Sequence, residues 1–101
     1  MVATAAMSTY LVVNSTVDDP DLLGEYLKAV GPTLGLVPLK VLASDTACKT
    51  IEGEPPGHRT VILEFESEDD FHTWYESPEY QAIVGKRHAA TTGFGLLVKG
   101  R

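Results

Sequence analysis

The groups in this chain that can move a proton or grip a flat ligand gather mostly between Val61 and Ala90. Glu64 comes first, inside the apolar run VILEF. A carboxylate in such a run is desolvated, which raises its pKa towards the range of a general acid or base unless a cation pairs with it. Glu64 therefore reads either as a catalytic group or as half of a structural ion pair with Arg87 or another cation. His72 titrates near neutrality and has Glu68 and Glu76 four residues to either side, placed to orient the imidazole or merely to solvate it. His58 stands just ahead of Arg59, where a strand begins and a cleft would open. Asp45 closes an earlier strand, where it either faces His58 or His72 as an acid–base dyad or does ordinary turn work.

The oxygen-binding and ring-stacking groups are Arg59, Arg87, Tyr10, Trp74 and Tyr75, with Tyr80 beside them. A guanidinium can hold a carboxylate or an enolate oxygen, although Arg87 could equally tie a helix to the sheet. The aromatics can stack on a planar ligand or donate to a carbonyl, while Trp74 and Tyr80, at helical spacing, also read as core. The expected catalytic set is thus His72, Asp45, Glu64 and His58, and the expected substrate-binding set is Tyr10, Arg59, Trp74, Tyr75 and Arg87. No HExxH, CxxC, G-x-S-x-G or phosphate-binding glycine loop occurs, so neither a metal nor an organic cofactor is expected.

These groups need a scaffold, and 101 residues supply one domain, expected over residues 9–101 behind a loose segment at 1–8. The net charge of −6, with basic residues scattered except for Lys86-Arg87-His88, argues against nucleic acid and an anionic membrane as partners. The single cysteine, Cys48, has no internal partner, which fits a reducing cytoplasm. No apolar run approaches the ~20 residues of a membrane span. The opening MVATAAMS lacks the basic lead of a signal peptide.

The element order follows from local signals. TYLVVNST, Thr9–Thr16, reads as a strand. Asp19-Pro20 starts a helix whose apolar stripe is Leu22, Leu23, Tyr26, Leu27 and Val30. Gly31-Pro32 interrupts that helix, which resumes briefly through Leu34 before Gly35 closes it. Strands are expected at Leu39–Ala43 and Arg59–Glu66, with the Gly- and Pro-rich loop Thr50–His58 between them. Ser67 and Ser77-Pro78 each start a helical segment, and FGLLVKG ends the chain as a strand. The order β-α-β-β-α-β is that of an α+β, ferredoxin-like sandwich, a four-stranded antiparallel sheet with helices on one face. Ile62 lies on one face of its strand and Val61, Leu63 and Phe65 on the other, so both sheet faces are apolar. An uncovered apolar face calls for a homodimer.

That order, together with WYESPEYQAI after VILEFES, resembles the DUF1330 family of dimeric α+β barrel proteins over roughly Ser8 to Gly100. The likeness rests on Glu64-Phe65, Trp74-Tyr75, Ser77-Pro78-Glu79-Tyr80 and Arg87, with Ile51-Glu52-Gly53 ahead of the third strand. Where the family has a Gly-Gly pair before the second strand, this chain has Leu36-Val37 after a single Gly35. The resemblance implies sheet-to-sheet pairing and a cleft between sheet and helices in each subunit. It also implies kinship with a superfamily of cofactor-free monooxygenases, lactone isomerases and aromatic polyketide cyclases, some of them natural-product enzymes. The expected function is a cofactor-independent enzyme acting by acid–base chemistry on a small hydrophobic, polyketide-like carbonyl ligand, by cyclisation or isomerisation. The alternatives are a cofactor-free monooxygenase and a non-catalytic ligand-binding dimer.

Overall fold

The computed structural model describes residues 8–101; the expected loose N-terminal segment lies, but for Ser8, outside them. Ser8 itself accepts a hydrogen bond from Gly100 N at 2.7 Å. The strands are β1 (Thr9–Val17), β2 (Leu39–Asp45), β3 (Arg59–Phe65) and β4 (Thr91–Lys99). All neighbours are antiparallel, in the order β2-β3-β1-β4, which is the ferredoxin-like sheet. Helix α1 (Pro20–Val30) joins β1 to a 3-10 turn at Gly31–Gly35, and α2 (Glu68–Tyr75), α3 (Pro78–Gln81) and α4 (Val84–Ala90) lie between β3 and β4.

Helices α1, α2 and α3 each begin where the sequence supplies a side-chain acceptor for an orphan N–H group, whereas α4 has no side-chain cap. Asp19 Oδ1 accepts from Leu22 N at 3.1 Å ahead of Pro20. Ser67 Oγ accepts from Asp70 N and Ser77 Oγ from Tyr80 N, each at 3.1 Å. Ser77 also donates to the Trp74 carbonyl at 2.7 Å, so one residue ends α2 and starts α3. The last strand begins at Thr91, three residues before the expected Phe94, because β1 pairs along its whole length down to Val17 with Thr91. Thr92 Oγ1 donates to Asp18 Oδ2 at 2.6 Å and anchors that early start.

The helices cover one sheet face. Val61, Leu63 and Phe65 of β3 point into it and share a core with Trp74, Tyr80 and Leu23, Phe65 being fully buried. Burial of each such side chain contributes about 1.5–3 kcal/mol. The other face carries Val12, Ile62, Leu96 and Val98 at matching register, and Leu96 and Val98 are 52% and 43% exposed.

The β2–β3 loop is pinned to β1 through Asn14. Its Oδ1 accepts from Gly57 N at 3.0 Å, and its Nδ2 donates to Gly57 O at 2.9 Å and Thr60 Oγ1 at 3.0 Å. A Cβ at Gly57 would run into the Ser15 carbonyl, so only glycine allows this approach. Gly57→Ala should therefore lower stability by at least about 2 kcal/mol, seen as a fall in Tm of roughly 10 °C by circular dichroism. An unchanged Tm would contradict this account of the loop.

Candidate functional site

Between the inner sheet face and the helices runs a cleft with a narrow waist and two wider ends. The waist holds about 40 Å3 and is flanked by Arg59, Arg87, Tyr26 and Tyr80 over Val13 and Leu63. Towards β2 it opens into an apolar chamber of about 150 Å3 beneath Leu27, Val30 and Leu34. Towards β4 it opens into about 280 Å3 between Phe71, Tyr75 and the glycines Gly93 and Gly95, with Arg87 and His88 at its side. A larger concavity, about 370 Å3, lies elsewhere, at the end of the sheet beside Ser8, Lys40 and Glu66. Lys40 and Glu66 in its wall are exposed, and it touches none of the arginine, tyrosine or tryptophan groups of the cleft.

The waist is built by elements far apart in sequence. Arg59 opens β3 directly across from Ser15 of β1 and is only 7% exposed. Ser15 Oγ beside it is buried and has no hydrogen-bond partner among the described residues. Arg87 comes from α4 and is half-buried. Tyr26 of α1 and Tyr80 of α3 meet edge to face, with their hydroxyls 2.8 Å apart. Trp74 closes the roof, its ring 4.1 Å from that of Tyr80 and its Nε1 donating to Thr33 Oγ1 at 3.1 Å.

The charges of this waist are unbalanced. The ion pairs among the described residues join His72 to Glu68 and Glu76, and Lys86 to Glu25; neither Arg59 nor Arg87 is in one. Burial pulls the Arg59 guanidinium below its ordinary range, with Tyr26 opposing and the like charge of Arg87 adding to the fall. Burial acts the same way on Arg87, but Tyr80, Tyr26 and Tyr75 outweigh it and leave that group above its ordinary range. Tyr26 is pushed well above the usual phenol range, first by burial and then by Tyr80, so it is a neutral hydroxyl at physiological pH. Two cations and two phenols, with no acid among the described residues of the waist, make a place for a ligand oxygen that carries or develops negative charge.

The expected site residues divide by location. Arg59, Trp74, Tyr75 and Arg87 line the cleft. His58 is exposed but shares an outer pocket of about 210 Å3 with Arg59 and Ser15. Its Nδ1 lies 3.4 Å from the Cys48 carbonyl. Glu64 and Tyr10 are cross-strand partners on the opposite sheet face, so the sheet separates Glu64 from Arg87. Asp45 is exposed at the end of β2, its Oδ1 accepting from Ala47 N at 2.8 Å in a local turn. His72 lies on the solvent side of α2, 3.1 Å from Glu68 and 2.9 Å from Glu76. None of these last four residues lines the cleft. Three polar groups that do line it, Tyr26, Tyr80 and His88, stood outside the expected set, although Tyr80 was weighed as a ring-stacking group. Tyr26 belonged to an apolar stripe and read as core; His88 was marked only by its place beside Arg87 in a basic run.

A family profile described as a domain of unknown function, DUF1330, matches residues 8–101. The chain belongs to the DUF1330 family. No curated protein matches it. Among solved structures, a protein of unknown function from Rhodopseudomonas palustris is similar, with 19% identity over 93% of this chain and 81% of that one and a TM-score of 0.72. A dimeric ferredoxin-like protein of unknown function from Thermobifida fusca has 12% identity over 98% of this chain and 94% of that one, with a TM-score of 0.63. A protein from Nitrosomonas europaea, proposed to be an antibiotic biosynthesis monooxygenase, has 12% identity over 98% and 92%, with a TM-score of 0.56. At these identities the likeness is one of fold. No helix among its described residues is long and apolar enough to cross a membrane.

The His72 contacts have a pH signature. Hydrogen bonding to Glu68, opposed by desolvation and reinforced by Glu76, raises the His72 pKa. A raised folded-state pKa stabilises the protein below the unfolded value of about 6.5, and the gain disappears as pH rises through the folded value. His72→Gln should therefore lower Tm at about pH 5.5 and leave it unchanged at about pH 9. A pH-independent loss would contradict the ion-pair account.

Proposed function

We propose that the protein is a small enzyme that draws a hydrophobic carbonyl compound into the cleft and moves a proton on it. Cyclisation or isomerisation of a polyketide-like molecule is the reaction class this suits. The observation that carries the reading is the pair of guanidiniums, buried Arg59 and half-buried Arg87, facing one apolar cleft with no carboxylate partner among the described residues. The β2-side chamber, at about 150 Å3, has the size that takes a benzene ring. A carbonyl attached to such a group reaches the waist. There the arginines and the Tyr26–Tyr80 hydroxyls receive the negative charge that collects on oxygen when the neighbouring carbon loses a proton.

His58 is the group we assign to that proton. Of the four acid–base candidates it is the one that shares a pocket with Arg59. If its Nδ1–H is directed at the Cys48 carbonyl, Nε2 carries the basic lone pair. His72, Asp45 and Glu64 line neither that outer pocket nor the cleft, and serve as controls for this assignment.

The open sheet face, with Phe94, Leu96 and Val98 each more than two-fifths exposed, supports pairing of two subunits through their sheets. The fold shared with the proposed monooxygenase from Nitrosomonas europaea favours a second reading, in which the enolate formed at the waist reacts with molecular oxygen. Oxygen uptake separates the two readings.

The test is exchange of α-protons for deuterium in heavy water, followed by NMR across a panel of aryl ketones and β-diketones. Protein-dependent exchange should fall about 10²–10⁴-fold in His58→Ala and in Arg59→Gln, and much less in His72→Ala or Asp45→Asn. Exchange no faster than in buffer across the panel would sink the proton-transfer reading.

A further inference from the structure

The chamber on the β4 side exceeds what this chemistry needs. An apolar ring and its carbonyl are housed by the β2-side chamber and the waist, yet about 280 Å3 opens beyond Arg87. The room has a cause in the sequence. β4 presents Gly93 and Gly95 to the helices, opposite Ser15 and Val13, where β1 and β3 present side chains. The two glycines differ in what requires them. A Cβ at Gly93 would collide with the Asn14 carbonyl and with Ser15, so the close approach of the strands demands glycine there. At Gly95 the nearest atoms, Leu11 Cδ1 and Val13 Cγ2, are both 3.7 Å from an added Cβ, an ordinary contact. Its φ is not in the left-handed region either. A glycine in a strand gives up side-chain packing and order, and nothing in the backbone at residue 95 asks for that loss. What glycine does provide there is space above the sheet. The facing wall is flat and aromatic: Tyr75 stacks on Phe71 with ring centroids 5.3 Å apart and planes 23° apart.

We infer that the ligand is bipartite and that Gly95 sets its length. One apolar group fills the β2-side chamber, a carbonyl centre sits at the arginine waist, and a second planar, unsaturated group lies against Tyr75 over Gly95. The substrate class is then a β-dicarbonyl flanked on both sides by bulky unsaturated groups. Only the position of the carbonyl rests on the function proposed above.

The experiment compares two β-diketones by isothermal titration: benzoylacetone, with one phenyl group, and dibenzoylmethane, with two. The wild-type protein should prefer dibenzoylmethane by at least about 10-fold. Gly95→Val, which puts a branched side chain into the chamber, should bring the ratio of affinities close to one, with Gly95→Ala between. Circular dichroism confirms that both variants fold. An unchanged ratio in Gly95→Val overturns the inference, and failure of the wild-type protein to bind either probe overturns it together with the carbonyl reading. If the ratio collapses while Arg59→Gln and Arg87→Gln leave benzoylacetone affinity untouched, the bipartite site stands and the carbonyl reading falls.

Discussion

Two guanidinium groups in one cleft, with no acid between them among the described residues, set the terms for the rest of this structure. A buried lysine or histidine can escape desolvation by losing its proton, but arginine keeps its charge. The fold must therefore solvate Arg59 and Arg87 by other means, and the means at hand are phenols from three helices: Tyr26, Tyr80 and Tyr75. Their hydroxyl dipoles soften the charge without cancelling it. The protein as a whole carries −6, so the cleft is a positive pocket in a negative body. That contrast suits a ligand that arrives neutral and becomes anionic during reaction better than one that arrives highly charged.

The sheet decides what reaches the pocket. Strand periodicity sends Arg59, Val61 and Leu63 to the helices and Ile62 and Glu64 to the other side. The 3-10 turn after α1 places Thr33 under Trp74, where its hydroxyl accepts a hydrogen bond from the indole N–H and donates one to the Val30 carbonyl at 2.7 Å. This relay holds the roof of the waist above the β3 floor. At the outer end, the Asn14–Gly57 clamp fixes the loop that carries His58 and delivers Arg59. Positioning of the candidate base and of one oxygen-binding arginine thus depends on one side-chain amide and one glycine.

Much of this was legible in the sequence because it is local. Asp19-Pro20, Ser67 and Ser77-Pro78 start helices where they stand, and alternation within VILEF assigns Val61 and Leu63 to one face. Two of the candidate residues carried the same kind of signal. Glu64 shares the parity of Ile62, not of Leu63, and His72 sits four residues from two glutamates on the polar side of a helix whose apolar side is Phe71, Trp74 and Tyr75. The waist itself had no local signal. Arg59 and Arg87 are brought together by a β3–α4 approach across the whole second half of the fold, and the Tyr26–Tyr80 contact spans 54 residues. A tyrosine in an apolar stripe looks the same whether its hydroxyl faces a packed core or a cleft, and only tertiary packing separates the two.

The central claim is that Arg59 and Arg87 together receive a ligand oxygen. The most direct measurement is a titration with benzoylacetone followed by NMR of the arginine Nε–Hε resonances, with the remaining arginine, exposed Arg101 at the C-terminal end, as internal reference. The account predicts that the Arg59 and Arg87 signals shift together and saturate at the same ligand concentration while Arg101 stays in place. Saturable shifts elsewhere in the protein with both cleft arginines unmoved would contradict it.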